Sequence, residues 1–196
     1  VAASKVYDGT TSITVSGGTL VGLTSGDVIN LVQSGVLISS NVSATAAVAL
    51  NFSITGTNAA NYILVQPSGI TTIVTPAPLG IVVTGEYNGT TSITPASFTA
   101  TGLVNSETIT GLSNATFNAI NVSNNGSNFV TSITSSGGTA SLSNYRITPT
   151  YSATNGTSKN VATLTAKALT VGGVSVATSK VYDGSTVAAI TGGSLV

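Results

Sequence analysis

The chain has no cysteine, histidine, methionine or tryptophan, and among its 196 residues only five are basic and five acidic. Without cysteine there is no disulfide framework, thiolate nucleophile or thiolate metal site. Without histidine the many serines have no imidazole base, and no Gly-x-Ser-x-Gly elbow sits in a strand-turn-helix setting, so a hydrolytic triad is excluded. The cations Lys5, Arg146, Lys159, Lys167 and Lys180 form no stripe that could neutralise phosphates, so neither nucleic acid nor an anionic membrane is expected as a partner. Apolar runs such as Ala44 to Leu50 fall well short of the roughly 20 residues that cross a bilayer, so no membrane insertion is expected. No charged, then apolar, leader opens the chain, so any export signal is expected outside these residues. No catalytic, cofactor-binding or metal-ligating residue is assigned, no cofactor is expected, and the chain is read as a non-enzyme.

What is present is Gly, Ser, Thr, Asn, Ala and Val, arranged in repeats. Val1 to Gly9, reading Val-Ala-Ala-Ser-Lys-Val-Tyr-Asp-Gly, returns with one change at Val176 to Gly184, 175 residues on. Between them, Tyr7-Asp8-Gly9-Thr10-Thr11-Ser12-Ile13-Thr14 reappears as Tyr87-Asn88-Gly89-Thr90-Thr91-Ser92-Ile93-Thr94 at an offset of 80, and Asp27 matches Glu107 at the same offset. Asn61-Tyr62 pairs with Asn144-Tyr145 at an offset of 83, and Pro78-Leu79 with Ala168-Leu169 at 90, so the second unit has longer loops. The boundaries are residues 1–76, a unit that can lack its first strand; 77–166, a second, diverged unit; and 167–196, the opening strands of a third. Both ends of the chain are read as cuts through an array.

Short runs of alternating β-branched and polar residues, as in Ser12 to Val15, Ala49 to Ile54, Asn61 to Val65 and Asn160 to Leu164, predict half-buried strands. Turn formers punctuate them at Asp8-Gly9, Gly17-Gly18, Asn88-Gly89, Gly137-Gly138 and Asn155-Gly156. No stretch has the density of Ala, Leu, Glu, Lys and Arg that a stable helix wants. The fold class is all-β: tandem small β-sandwich repeats of immunoglobulin type forming an elongated rod, with β-grasp-like repeats as the alternative. Pro76 and Pro78 make the link between units short and extended.

The residues Lys5-Val6-Tyr7-Asp8-Gly9-Thr10-Thr11, Gly26-Asp27, Asn61-Tyr62-Ile63-Leu64 with Gln66-Pro67, and Thr75-Pro76 resemble the YDG-type repeat of giant Gram-negative surface adhesins similar to filamentous haemagglutinin. The second copy departs from the pattern at Asn88 and at Arg146-Ile147-Thr148-Pro149. The resemblance implies an extracellular or cell-surface protein whose repeats hold a tip away from the cell or build a fibre, and it implies no catalytic residues.

The motif residues Tyr7, Asp8, Gly9, Tyr87, Asn88, Gly89, Tyr182, Asp183 and Gly184 are assigned to a structural turn. The exchange of Asp8 for Asn88 removes the charge that a calcium ligand or general base would need, while a turn with φ > 0 accepts both. The tyrosine rings are expected in the core, with each hydroxyl near a backbone partner. One acid per unit, Asp27 or Glu107, is retained, too few for the six to eight oxygens of a calcium site. Seven Asn-x-Ser/Thr triplets, at Asn41, Asn51, Asn88, Asn114, Asn121, Asn125 and Asn155, arise readily in such a composition. Lys5 and Lys180 show no clear acidic partner for an isopeptide crosslink. The expected function is a stalk or spacer whose partners are neighbouring repeats of the same chain; the second reading is a self-assembling filament of identical chains, and the third a glycan- or ice-binding module.

Overall fold

A computed structural model describes residues 1–176 and 179–195; Ala177, Thr178 and Val196, which belong to the third copy of the motif, lie outside the described residues. The chain is all-β, and the only helical pieces among the described residues are four 3-10 turns of three residues each.

Residues 1–76 hold β1 (Lys5–Val6), β2 (Asn30–Val32), β3 (Gly35–Leu37), β4 (Ser43–Leu50), β5 (Ser53–Thr55) and β6 (Thr71–Thr75). One sheet has the order β1-β6-β4-β3, and β2 pairs with β5. Residues 77–166 hold β7 (Ala77–Glu86), β8 (Ser92–Ile93), β9 (Ser97–Thr101), β10 (Ile109–Phe117), β11 (Val130–Gly138), β12 (Tyr145–Ile147) and β13 (Asn160–Thr165). Here β11-β10-β8 forms one sheet, and β12, β13 and β9 all pair with β7 in another. A last hairpin joins β14 (Val171–Val176) to β15 (Ile190–Leu195).

The two segments share a pairing pattern. The strand entering the motif runs parallel to the strand that closes the segment: β1 with β6 (Lys5 opposite Val74), and β7 with β13 (Gly85 opposite Leu164). After the motif turn, Ser12 bridges to Val36 and Ser92 to Thr116, so the chain crosses to a hairpin in both segments. In the second segment that hairpin is continuous, nine residues in each of β10 and β11; in the first it is split into β3–β4 and β2–β5.

β7 pairs with three strands of its segment, and its sequence says why. Ala77, Leu79, Gly80, Ile81, Val83 and Gly85 are all buried, the near-continuous apolar run expected of a strand covered on both faces. Gly80 is required by close approach: a Cβ there would lie 2.1 Å from the carbonyl oxygen of Gly156, on the 3-10 turn that packs across the strand. The core inside the second segment contains Ile81, Val83, Ile93, Ala115, Phe117, Val130, Ala162 and Leu164. The other core crosses the boundary between segments, packing Tyr7, Leu37, Val48 and Val74 against Ala77, Leu79 and Tyr145.

The expected strand at Asn61 to Val65 is not formed. Tyr62 onward lies in no strand, with Ile63 and Val65 94% and 83% exposed. Its counterpart in the second segment, β12, is a strand because Ala77–Leu79 runs parallel beside it. Among the described residues nothing lies alongside Tyr62 to Leu64 in that way, and a strand exists only by pairing.

Candidate functional site

The motif positions share one geometry. Gly9, Gly89 and Gly184 have φ of +75, +80 and +75°, the left-handed region open to glycine. Asp8 Oδ1 accepts from the Thr10 amide at 2.9 Å, Asn88 Oδ1 from the Thr90 amide at 2.9 Å, and Asp183 Oδ1 from the Ser185 amide at 3.0 Å. Each is an Asx-type turn that the side chain closes on its own backbone.

Lysine completes the turn in two of the three copies. Lys5 and Lys180 meet Asp8 and Asp183 at 2.7 Å, and Lys5 Nζ also donates to the Ser12 carbonyl at 2.9 Å. These aspartates are the acidic partners that the sequence reading did not find. Hydrogen bonding to lysine and to the turn amide holds both carboxyls below their ordinary value, in Asp8 against the opposing effect of burial. In the second copy the lysine position is Gly85, where a Cβ would sit 2.2 Å from Ile93 Cγ2. There the Asn88 amide takes over the lysine's bond, donating Nδ2 to the Ser92 carbonyl at 2.8 Å. The paired loss of lysine and aspartate was the readable signal.

The retained acid and the retained Asn-Tyr pair also belong together. Tyr62 donates its hydroxyl to Asp27 Oδ2 at 2.6 Å and accepts from the Thr24 amide at 2.9 Å. Tyr145 donates to Glu107 Oε2 at 2.7 Å and accepts from the Val104 amide at 3.1 Å. These contacts consume the one acid per unit; among the described residues no three His, Cys, Asp or Glu side chains gather as a metal site.

Glu107 has a second partner across the segment boundary. Tyr7, buried, donates to Glu107 Oε1, and its ring stands edge-on to that of Tyr145 with centroids 5.6 Å apart. Its hydroxyl partner is thus a carboxylate and not the expected backbone group. The hydrogen bond to Glu107, with burial, raises the Tyr7 pKa, while burial first and Glu107 next push Tyr145 up to about 12. Asn144, also buried, accepts from the Val42 amide at 2.9 Å and donates to Asn41 Oδ1 at 2.9 Å, tying the same boundary. Tyr87 and Tyr182 differ from the expected core position: they are 36% and 94% exposed.

An apolar groove of about 510 Å³ lies at the first segment, lined by residues that include Leu20, Leu31, Phe52, Ile54 and Leu64. It offers no nucleophile, base or cation cluster, so its chemistry is burial of apolar surface.

Residues 1–72 match the family model described as the YDG domain, just over a third of the chain, which makes this a YDG-containing protein. No curated protein and no solved structure matches the chain.

Proposed function

We propose that this YDG-containing chain is a structural segment of a secreted or cell-surface bacterial adhesin, a stalk or spacer of tandem small β-sandwich units that extends a binding tip away from a Gram-negative cell. The observation that carries this reading is the boundary between residues 1–76 and 77–166. A loose linker would leave the two segments with separate cores. Here Tyr7, Leu37 and Val74 share a core with Ala77, Leu79 and Tyr145, and Glu107 binds a tyrosine from each side. A segment whose task is to transmit position needs that kind of joint.

Small-angle scattering at high dilution tests the reading. A thin particle two units long, unchanged in cross-section by salt, is the expected result. A compact globule overturns it.

A further inference from the structure

Cysteine, methionine and tryptophan, the side chains that compete with tyrosine for an oxidant, are all absent, so oxidising equivalents that reach this chain fall on its six tyrosines. A tyrosyl radical couples only where a second phenol stands within reach. Tyr7 and Tyr145 meet that condition, with ring centroids 5.6 Å apart, and they are the one aromatic pair among the described residues. Tyr62, Tyr87, Tyr151 and Tyr182 have no ring neighbour there.

Both hydroxyls of the pair donate to one carboxylate, Tyr7 to Glu107 Oε1 and Tyr145 to Glu107 Oε2 at 2.7 Å. Phenols couple at the ring carbons next to the hydroxyl-bearing carbon, and a shared carboxylate draws those ends of the two rings together. A phenol sheds its proton with its electron. Both phenols are protonated at neutral pH, their pKa values raised above 10, so each oxidation needs an acceptor already in place, and Glu107 holds both protons in its hydrogen bonds. Glu107 is half-buried and can pass a proton on to water, while the rings are buried away from solvent reductants that would quench a radical. Tyr145 also lines a cleft of about 340 Å³ with Leu79, Ile133 and Arg146, an approach for a small oxidant and room for the ring to turn.

We propose that Tyr7 and Tyr145 are an oxidative crosslinking site, at which a small one-electron oxidant of the peroxide-derived radical class ties residues 1–76 to residues 77–166 through a carbon–carbon bond. Each tyrosine gives one electron to an oxidant molecule and one proton to Glu107, which releases the first proton to water before it takes the second. The two phenoxyl radicals join at their ortho carbons as the rings swing from edge-on to edge-to-edge. The hydrogen on each joined carbon then moves as a proton to the oxygen of its own ring, restoring both hydroxyls. The sum is the loss of two electrons and two protons. This chemistry goes beyond the stalk role and does not rest on it, since it needs only the packing of the two segments.

Photo-oxidation of the whole chain with a ruthenium tris-bipyridyl complex and persulfate, at a dilution where copies do not meet, is the test. The expected product is a monomer two hydrogens lighter that shows dityrosine fluorescence. After cleavage at Glu86 and Glu107, which otherwise separates Tyr7 from Tyr145, the two peptides that carry them stay joined. The product falls to background in Tyr7→Phe and in wild type oxidised in urea, and is unchanged in Tyr151→Phe. Glu107→Gln, which cannot take up a proton, slows its formation several-fold; an unchanged rate overturns the part given to Glu107. The crosslinked chain has a higher urea midpoint than the untreated chain, since the bond restricts the unfolded state. The peptide map is made on wild type, so it decides the matter even where a variant fails to fold. Dityrosine formed only between copies, joined peptides that contain another pair, or tyrosines oxidised singly with none coupled overturns the proposal.

Discussion

A side chain in this protein is most often asked to stand in for a piece of backbone, and asparagine does so repeatedly. Asn160, fully buried in β13, donates to the carbonyls of Val130 and Thr148 at 2.8 and 2.6 Å and accepts from the Val130 amide at 2.9 Å. Asn125 makes a matching pair with the amide and carbonyl of Leu164, at 2.9 and 2.8 Å. These are inter-element ties in a chain that has neither thiols nor a stock of charges. Asn160→Ala leaves the buried amide and carbonyl of Val130 and the half-buried carbonyl of Thr148 without this partner and is expected to cost about 3 kcal/mol, read as a shift in the urea midpoint at constant slope. Asn88→Asp is expected to cost about 1 kcal/mol, since a carboxylate cannot donate to Ser92 and no lysine can replace Gly85. The same substitution made elsewhere on the surface should be near neutral, and a chemical denaturation comparison of the two decides it. Sequence reading reached Asn88 as a turn residue but not its donor role, because the composition offered too many asparagines to single one out.

Strand content was legible at the level of elements because period two is a local property, and the chain is indeed all-β. Pairing was not. Periodicity does not say which neighbour a strand takes, so the parallel contacts of β7 with β12 and β13 left no local trace. The Asn61 to Val65 run shows the opposite failure: its pattern is that of a strand, but the partner that would make it one is not beside it. The Tyr145–Glu107 bond joins residues 38 positions apart and could have been found only by noticing that acid and tyrosine are retained together. Gly80→Ala tests the packing of β7. Its Cβ would collide with backbone at Gly156 and with Thr101 Oγ1 at 2.4 Å, neither free to move far, so the thermal midpoint is expected to fall by several degrees. Gly89→Ala, where nothing lies within 4 Å, should lose less and only through its positive φ.

For the molecule as a whole, the shared core makes residues 1–166 one cooperative body with a pH-sensitive seam. Tyr7 and Tyr145 have pKa values raised above the ordinary 10, the latter to about 12. Above pH 10 an unfolded chain releases phenolic protons that the folded chain keeps, so the unfolded state binds fewer protons and stability falls as pH climbs toward 12. Below pH 10 that contribution is complete. The urea midpoint measured from pH 9 to 12 is expected to drop over that window, and Tyr145→Phe, which has no proton to lose there, should flatten the drop. An unchanged profile in the variant would place the alkaline sensitivity elsewhere.

The parallel run of β7 beside β13 has a mechanical consequence. Tension along the chain pulls β7 by its N-terminal end and β13 by its C-terminal end, and because the strands point the same way, those pulls slide one past the other. Six residue pairs, from Asn160 opposite Ile81 to Thr165 opposite Glu86, are then loaded in shear and must give way together. An antiparallel pair pulled from its open ends would instead unzip one bond at a time. β1 and β6 repeat the arrangement on a smaller scale, with two pairs. Under such a pull the order of rupture should run from the β1–β6 pair to the β7–β13 pair.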